Sequence, residues 1–251
     1  MKTGIGPIDD LLPPDGLPPG YLVLLEGPLG VGKTFFAYCF AVSAAKAKAP
    51  AAVFAVDALP EDVAETLRRR GIDPGSVAIV DGFYAPTDRL NKMKGWSKAK
   101  LDVLDTKAVL DKLAELADEV RGGVVVIDSL NEIILRTSNV FELFRGLKIF
   151  AKYTGSLVVG VVHTDVEDVK NTLALAEHLA DVIIQAEMDP DLEQMGLFIR
   201  RIRVARAKGL QVPHDWIHVD IVDGKVVEVD VKSLLRDLNR KVAELGVRIG
   251  V

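Results

Sequence analysis

Gly27-Pro28-Leu29-Gly30-Val31-Gly32-Lys33-Thr34 is the stretch that decides the architecture of this chain. It satisfies G-x-x-x-x-G-K-[ST] at every fixed position. The apolar run Tyr21-Leu22-Val23-Leu24-Leu25-Glu26 precedes it and a helix-forming segment over residues 33–48 follows, so it reads as strand, glycine-rich turn, helix. Its glycines let the backbone curl until successive N–H groups point inward. The following helix adds the partial positive charge of its N-terminus. Such a cradle takes the phosphates of a nucleoside triphosphate. Gly27, Pro28, Leu29, Gly30, Val31 and Gly32 supply the loop, Lys33 reaches the β- and γ-phosphates, and the Thr34 hydroxyl ligates Mg²⁺. ATP and Mg²⁺ are the expected cofactors.

Outward from this loop, apolar runs alternate with helix-period segments, which is the pattern of repeated βα units and a mainly parallel α/β sheet. Strands are expected over residues 51–56, 77–80, 124–127, 157–162 and 182–184, with helices over 60–70, 106–121 and 139–153. Residues 82–104 break the pattern and read as a surface insertion. The last third changes character: residues 197–207 and 216–222 read as antiparallel strands, and Asp223-Gly224 is a two-residue hairpin signal. An amphipathic helix is expected over 231–245. Without repeats, low-complexity tracts or an obvious linker, residues 1–251 read as a single domain.

Asp128 ends the buried run Val124-Val125-Val126-Ile127, where a carboxylate can hold a Mg²⁺-bound water beside Thr34. Ser129 either joins that water shell or starts a turn. Cys39, the single cysteine, lies in an apolar stretch and reads as a buried, inert thiol. No apolar run approaches the ~18 residues of a membrane span and no signal peptide is visible, which points to a cytoplasmic protein. The net charge of −5 argues against a protein that mainly neutralises phosphate backbones.

With both phosphate-site motifs in place, the chain resembles the KaiC-like branch of the RecA superfamily of P-loop ATPases. The lead-in Thr3-Gly4-Ile5-Gly6-Pro7-Ile8-Asp9-Asp10-Leu11-Leu12, followed by Gly16-Leu17-Pro18-Pro19-Gly20, carries the resemblance together with the two motifs. It implies a RecA-like core, ATP bound between subunits, and a homo-oligomer, commonly a hexameric ring. Two departures affect the expected site. Hydrolysing members carry a glutamate, often a pair, after the second strand; here Asp57 stands at the first place and Ala58 at the second. Asp57 either orients the attacking water or caps the helix near Pro60. The family's K-x-R-G segment reads Arg206-Ala207-Lys208-Gly209, with the cations exchanged. Both lie on one face of an extended strand, because side chains two apart point the same way, and this pair is expected to act on the γ-phosphate of a neighbouring subunit. The alternative is a solvated basic strand, since Arg200, Arg201 and Arg203 are close by. His163 and Thr164 end a strand where RecA-like proteins place a polar γ-phosphate sensor. His178, His214 and His218 lack zinc-ligand spacing.

Three functional classes follow. One is a slow ATPase coupling nucleotide state to oligomer or partner shape, with Asp57, Lys33, Arg206, Lys208 and His163 as candidate catalytic residues and Thr34 with Asp128 at the metal. Another is a non-hydrolysing ATP-binding regulator. The third is a nucleic-acid-dependent motor or recombinase, for which Arg89, Lys92, Lys94, Lys98 and Lys100 around Trp96 would be the contact surface. A solvated loop is the favoured reading of that segment, so nucleic acid is not the favoured partner.

Overall fold

The computed structural model describes residues 1–83, 99–101, 104–137 and 139–244. Arg89, Lys92, Lys94, Trp96 and Lys98, the basic segment singled out above, lie outside the described residues, as does the expected end of the last helix at Leu245.

In chain order the elements are α1 (Gly6–Asp9), β1 (Leu22–Gly27), α2 (Lys33–Lys46), β2 (Ala51–Ala55), α3 (Pro60–Arg69), β3 (Ala78–Asp81), β4 (Ala99–Lys100), α4 (Thr106–Glu115) and β5 (Val124–Asp128). Then come α5 (Asn131–Arg136), α6 (Val140–Thr154), β6 (Leu157–His163), α7 (Glu167–Leu179), β7 (Val182–Met188), α8 (Pro190–Gln194), β8 (Arg200–Ala207), β9 (Ile217–Val222), β10 (Lys225–Glu228) and α9 (Val231–Glu244). One ten-stranded sheet runs β10-β9-β8-β7-β1-β6-β5-β2-β3-β4. From β7 to β4 the strands are parallel; β8, β9 and β10 extend the sheet antiparallel. The expected α/β architecture with antiparallel C-terminal strands is present.

Two apolar layers sandwich this sheet. Val23 and Leu25 of β1 face the layer containing α2, whereas Leu22 and Leu24 face the layer containing α6 and α7. Strands buried on both faces read as continuous apolar runs because each must fill two cores. In α2, Phe36, Ala37, Phe40, Ala41 and Ala44 are inaccessible. Burying one such phenylalanine is worth about 2 kcal/mol, so the helix that carries the phosphate loop is anchored over most of its surface. The start of β1 is pinned by Asp181, whose carboxylate accepts from Leu22 N–H at 3.0 Å and from Lys148 Nζ at 2.7 Å.

Several boundaries differ from the sequence reading. The expected insertion ends inside the sheet: β4 pairs with β3, and Leu101 and Leu104 are buried. Helix α4 stops at Glu115; a turn then carries the chain to Gly122, at φ +70°. Helices α5 and α7 were not anticipated, although Val169, Leu173 and Ala176 show the helical spacing of a buried stripe. The hairpin signal holds: Val222 pairs with Lys225 across Asp223 (φ +48°) and Gly224 (φ +72°).

Candidate nucleotide site

The loop from Gly27 to Thr34 leaves the C-terminal end of β1 and enters α2, as its sequence context requires. Gly27 is obligatory there, because a β-carbon would sit 2.0 Å from the Ala186 carbonyl oxygen. Gly32 caps α2 at φ +94°, a left-handed conformation that turns the following N–H groups into the loop. Lys33 is buried, and its Nζ donates to Pro28 O at 2.5 Å, so the ammonium points into the loop. Burial lowers its pKa to about 8, against the opposing pull of Asp165, Asp128 and Asp57. The loop carries a third constraint: Leu29 N–H donates to Asp165 Oδ2 at 3.1 Å.

Asp128 is buried at the end of β5, and Thr34 Oγ1 lies 3.3 Å from its Oδ1. Burial raises the Asp128 carboxyl to about 6; the Thr34 hydroxyl opposes that shift and the charge of Asp57 adds to it. A hydroxyl and a carboxylate side by side are hard oxygen donors of the kind that suits Mg²⁺. Backbone hydrogen bonds hold Asp57 against this strand: the N–H groups of Val56 and Asp57 both donate to Asp128 O, at 2.9 and 3.0 Å. Its side chain is 35 % exposed, and Oδ2 lies 3.5 Å from His163 Nε2. Burial alone would raise its pKa, but hydrogen bonds from His163 and Ser129 outweigh that and hold it below the usual value. Asp57 does not cap α3. The N-cap is Leu59, without a side-chain bond, and Pro60 follows at the first turn. Asn131 completes the group by bracketing the His163 backbone, donating to its carbonyl at 3.0 Å and accepting from its N–H at 2.8 Å.

The cations of β8 divide between the two ends of the sheet. Arg206 pairs with Ile183 at the start of β7, whereas Ala186, against Gly27, lies three residues further on. Arg206 donates to Glu177 O in α7 at 2.8 Å. The expected shared face is not formed. A bulge interrupts the register at Ile183/Ile184, the strand ends at Ala207, and Lys208 sits in the following turn, where its N–H donates to Asp181 O. Within one chain, therefore, neither Arg206 nor Lys208 reaches the phosphate loop. Nor is β8 a free basic strand: Arg200 pairs with Asp220, Arg201 with Glu187 and Asp189, and Arg203 with Gln185. Arg201 and Arg203 also lie over the Trp216 ring, 4.7 and 4.4 Å from its centre.

The family model for the KaiC ATPase matches residues 1–233. This chain belongs to the KaiC family of ATPases. It is 27 % identical over 253 residues to a UPF0273 protein of Pyrococcus horikoshii, covering 98 % of each chain. To a UPF0273 protein of Thermotoga maritima it is 26 % identical over 196 residues, covering 75 % of this chain and 80 % of the relative. A crystal structure of a KaiC-like protein from P. horikoshii superposes with a TM-score of 0.68 at 19 % identity, covering 91 % of this chain and 98 % of that one. At that identity the superposition speaks to the fold, which is RecA-like.

Three residues of this KaiC-family site escape a reading by motif. Asn131 and Asp165 sit in unremarkable sequence, and only the packing of α5 and of the β6–α7 loop brings them to His163 and the phosphate loop. Glu26 could have been noticed, as an acid closing an apolar strand. It is buried; burial and the charge of Glu177 raise its carboxyl to about 7, while Gln185 opposes the shift. Its Oε1 finds no partner among the described residues. Gln185 Nε2 reaches the other oxygen at 3.5 Å, and Arg203 holds Gln185 Oε1 from two nitrogens. A cavity of about 150 Å³ between Glu26, Pro28, Thr164 and Trp216 runs along this chain.

Proposed function

We propose that this KaiC-family chain binds Mg·ATP at the 27–34 loop and hydrolyses it slowly to ADP and phosphate, coupling nucleotide state to the shape of an oligomer or partner. The observation that carries the hydrolytic part is the placement of Asp57. It lies beside Asp128 and His163 with its carboxyl held ionised, and it caps no helix.

In this reading the loop N–H groups and Lys33 hold the phosphates, and Thr34 with Asp128 would hold Mg²⁺, which would supply charge neutralisation for the phosphates. Asp57 accepts a proton from the attacking water, and His163 fixes its orientation, steadied in turn by Asn131. Arg206 and Lys208 lie at the wrong end of the sheet for their own loop, so they act on the site of an adjacent subunit in a ring. The whole chain works as one domain in the cytoplasm. Ala58 favours the second reading, a regulator that binds ATP without hydrolysing it, because the second carboxylate is missing.

Phosphate release from Mg·ATP, measured for the wild-type chain and for Asp57→Asn, separates the two. Turnover that falls by about 100-fold or more in the variant, the scale of lost general-base catalysis, supports the ATPase. Background release from both proteins, with ATP still bound, makes the chain a regulator.

A further inference from the structure

Four of the first eight residues of α2 are aromatic: Phe35, Phe36, Tyr38 and Phe40. Phe36, Tyr38 and Phe40 are buried, and a phenylalanine at position 38 would fill nearly the same space. Tyrosine adds one polar atom to that core. Its hydroxyl is inaccessible and makes no hydrogen bond of full geometry among the described residues. A buried hydroxyl without a partner costs free energy, because it gives up its bonds to water and receives nothing in return.

The direction of that hydroxyl gives the cost a use. Tyr38 stands four residues after Thr34, so both side chains share one face of α2 and lean towards its N-terminus. Helix α2 packs on β5, and Thr34 Oγ1 already lies 3.3 Å from Asp128 Oδ1. Burial first, and then the charge of Asp128, hold the Tyr38 phenol well above its ordinary pKa; Asp57 adds to that rise and Arg70 opposes it. The phenol in turn is a small counterweight to burial at Asp128. The two groups are thus close enough to shift each other, yet short of the distance and angle of a full hydrogen bond.

Asp128, for its part, is short of donors. An ionised carboxylate offers about four lone-pair sites. Among the described residues only Thr34 meets this carboxylate with full hydrogen-bond geometry, and bulk water does not reach it. A buried donor without an acceptor therefore stands beside a buried acceptor that lacks donors. We infer that Tyr38 is a positioning residue of the metal site: when the nucleotide site fills, its hydroxyl donates to Asp128 and holds that carboxylate against Thr34. The inference rests on the reading of Thr34 and Asp128 as the Mg²⁺ pair. The unpaired hydroxyl is then a cost of the empty site that the filled site removes.

Tyr38→Phe keeps the ring and tests this through metal affinity and melting rather than turnover. Mn²⁺ serves as the probe, with the free ion counted by electron paramagnetic resonance in the presence of ATP. Its affinity should fall about 10-fold in the variant, the scale on which groups behind a metal's ligands act. ATP affinity in EDTA should stay that of the wild type. Without metal or nucleotide the variant should melt at or above the wild type, since the orphaned hydroxyl is gone; with Mg·ATP it should gain fewer degrees. A lower metal-free melt with unchanged Mn²⁺ affinity would show a packing role, or a buried water on the hydroxyl, and overturn the inference. Unchanged Mn²⁺ affinity at an unchanged melt, beside a wild type that binds Mn·ATP, would overturn it too and leave the metal pair standing. Mn²⁺ binding by the wild type that is absent with ATP, or indifferent to Thr34→Ala, would remove the metal pair itself and Tyr38 with it.

Discussion

Burial takes the Lys33 ammonium down to about 8, so the residue proposed to meet a triphosphate is held near the edge of losing its charge. Below that pH it is cationic; above it, it becomes neutral until phosphates restore the charge. ATP binding near pH 8.5 is therefore expected to take up a proton, read as a calorimetric heat that changes with buffer ionisation enthalpy. Lys33→Ala should weaken ATP binding about 100-fold, from the ~3 kcal/mol of a charge-assisted contact; tight binding by this variant would count against the site. Glu26 provides a reverse case. Its carboxyl titrates at about 7 in the folded chain against 4.5 in the open one. The folded form holds its proton more tightly, so stability falls as pH rises from about 4.5 to 7, and the full cost is present at pH 8. Glu26→Gln should raise Tm at pH 8, by several degrees for about 2 kcal/mol, and leave it unchanged near pH 4.5. Equal shifts at both pH values would indicate altered packing.

Between residue and fold lies the β6–α7 connection. Thr164 N–H donates to Gly27 O at 3.0 Å, and Asp165 takes the Leu29 N–H, so this loop is fastened to the phosphate loop at two points. The Asp165 carboxylate engages an amide of the kind a phosphate oxygen would use. A bound triphosphate must displace or compete with it. Asp165→Ala should therefore tighten ATP binding several-fold, on the scale of one hydrogen bond of ~1 kcal/mol, as measured by calorimetry; weaker binding would make Asp165 a support of the loop. The far end of α7 carries the Glu177 carbonyl held by Arg206. Movement at Asp165 thus has a rigid element through which to reach β8.

For the whole molecule, the ten-stranded sheet gathers the candidate site at one end of its parallel strands. The phosphate loop, Asp57, Asp128 and His163 all leave the C-terminal ends of parallel strands, where open α/β sheets place ligands. Because ligand binds the folded chain and not the open one, Mg·ATP at about 100 times its Kd should stabilise by ~2.7 kcal/mol and raise Tm by roughly 5–10 °C. Thr34→Ala should lose the Mg²⁺-dependent part of that rise. A melt indifferent to nucleotide would contradict binding at this loop. No helix among the described residues is long and apolar enough to cross a membrane.

The phosphate loop, the buried strand ending in Asp128, the alternation of strand and helix and the Asp223-Gly224 hairpin were all legible in the sequence. Each is a local pattern, in which spacing, glycine and burial on both faces act within a dozen residues. Tertiary structure alone decided the rest. Asp57 could cap a helix or face the site until the backbone bonds to Asp128 O and the Leu59 cap settled its position. Arg206 and Lys208 should have shared a face until the strand ended at Ala207 and left Lys208 in the turn. Asn131, Asp165 and the Glu26–Gln185–Arg203 chain join residues far apart in the sequence. Such contacts depend on strand order and on register, and neither is written in any short run of residues.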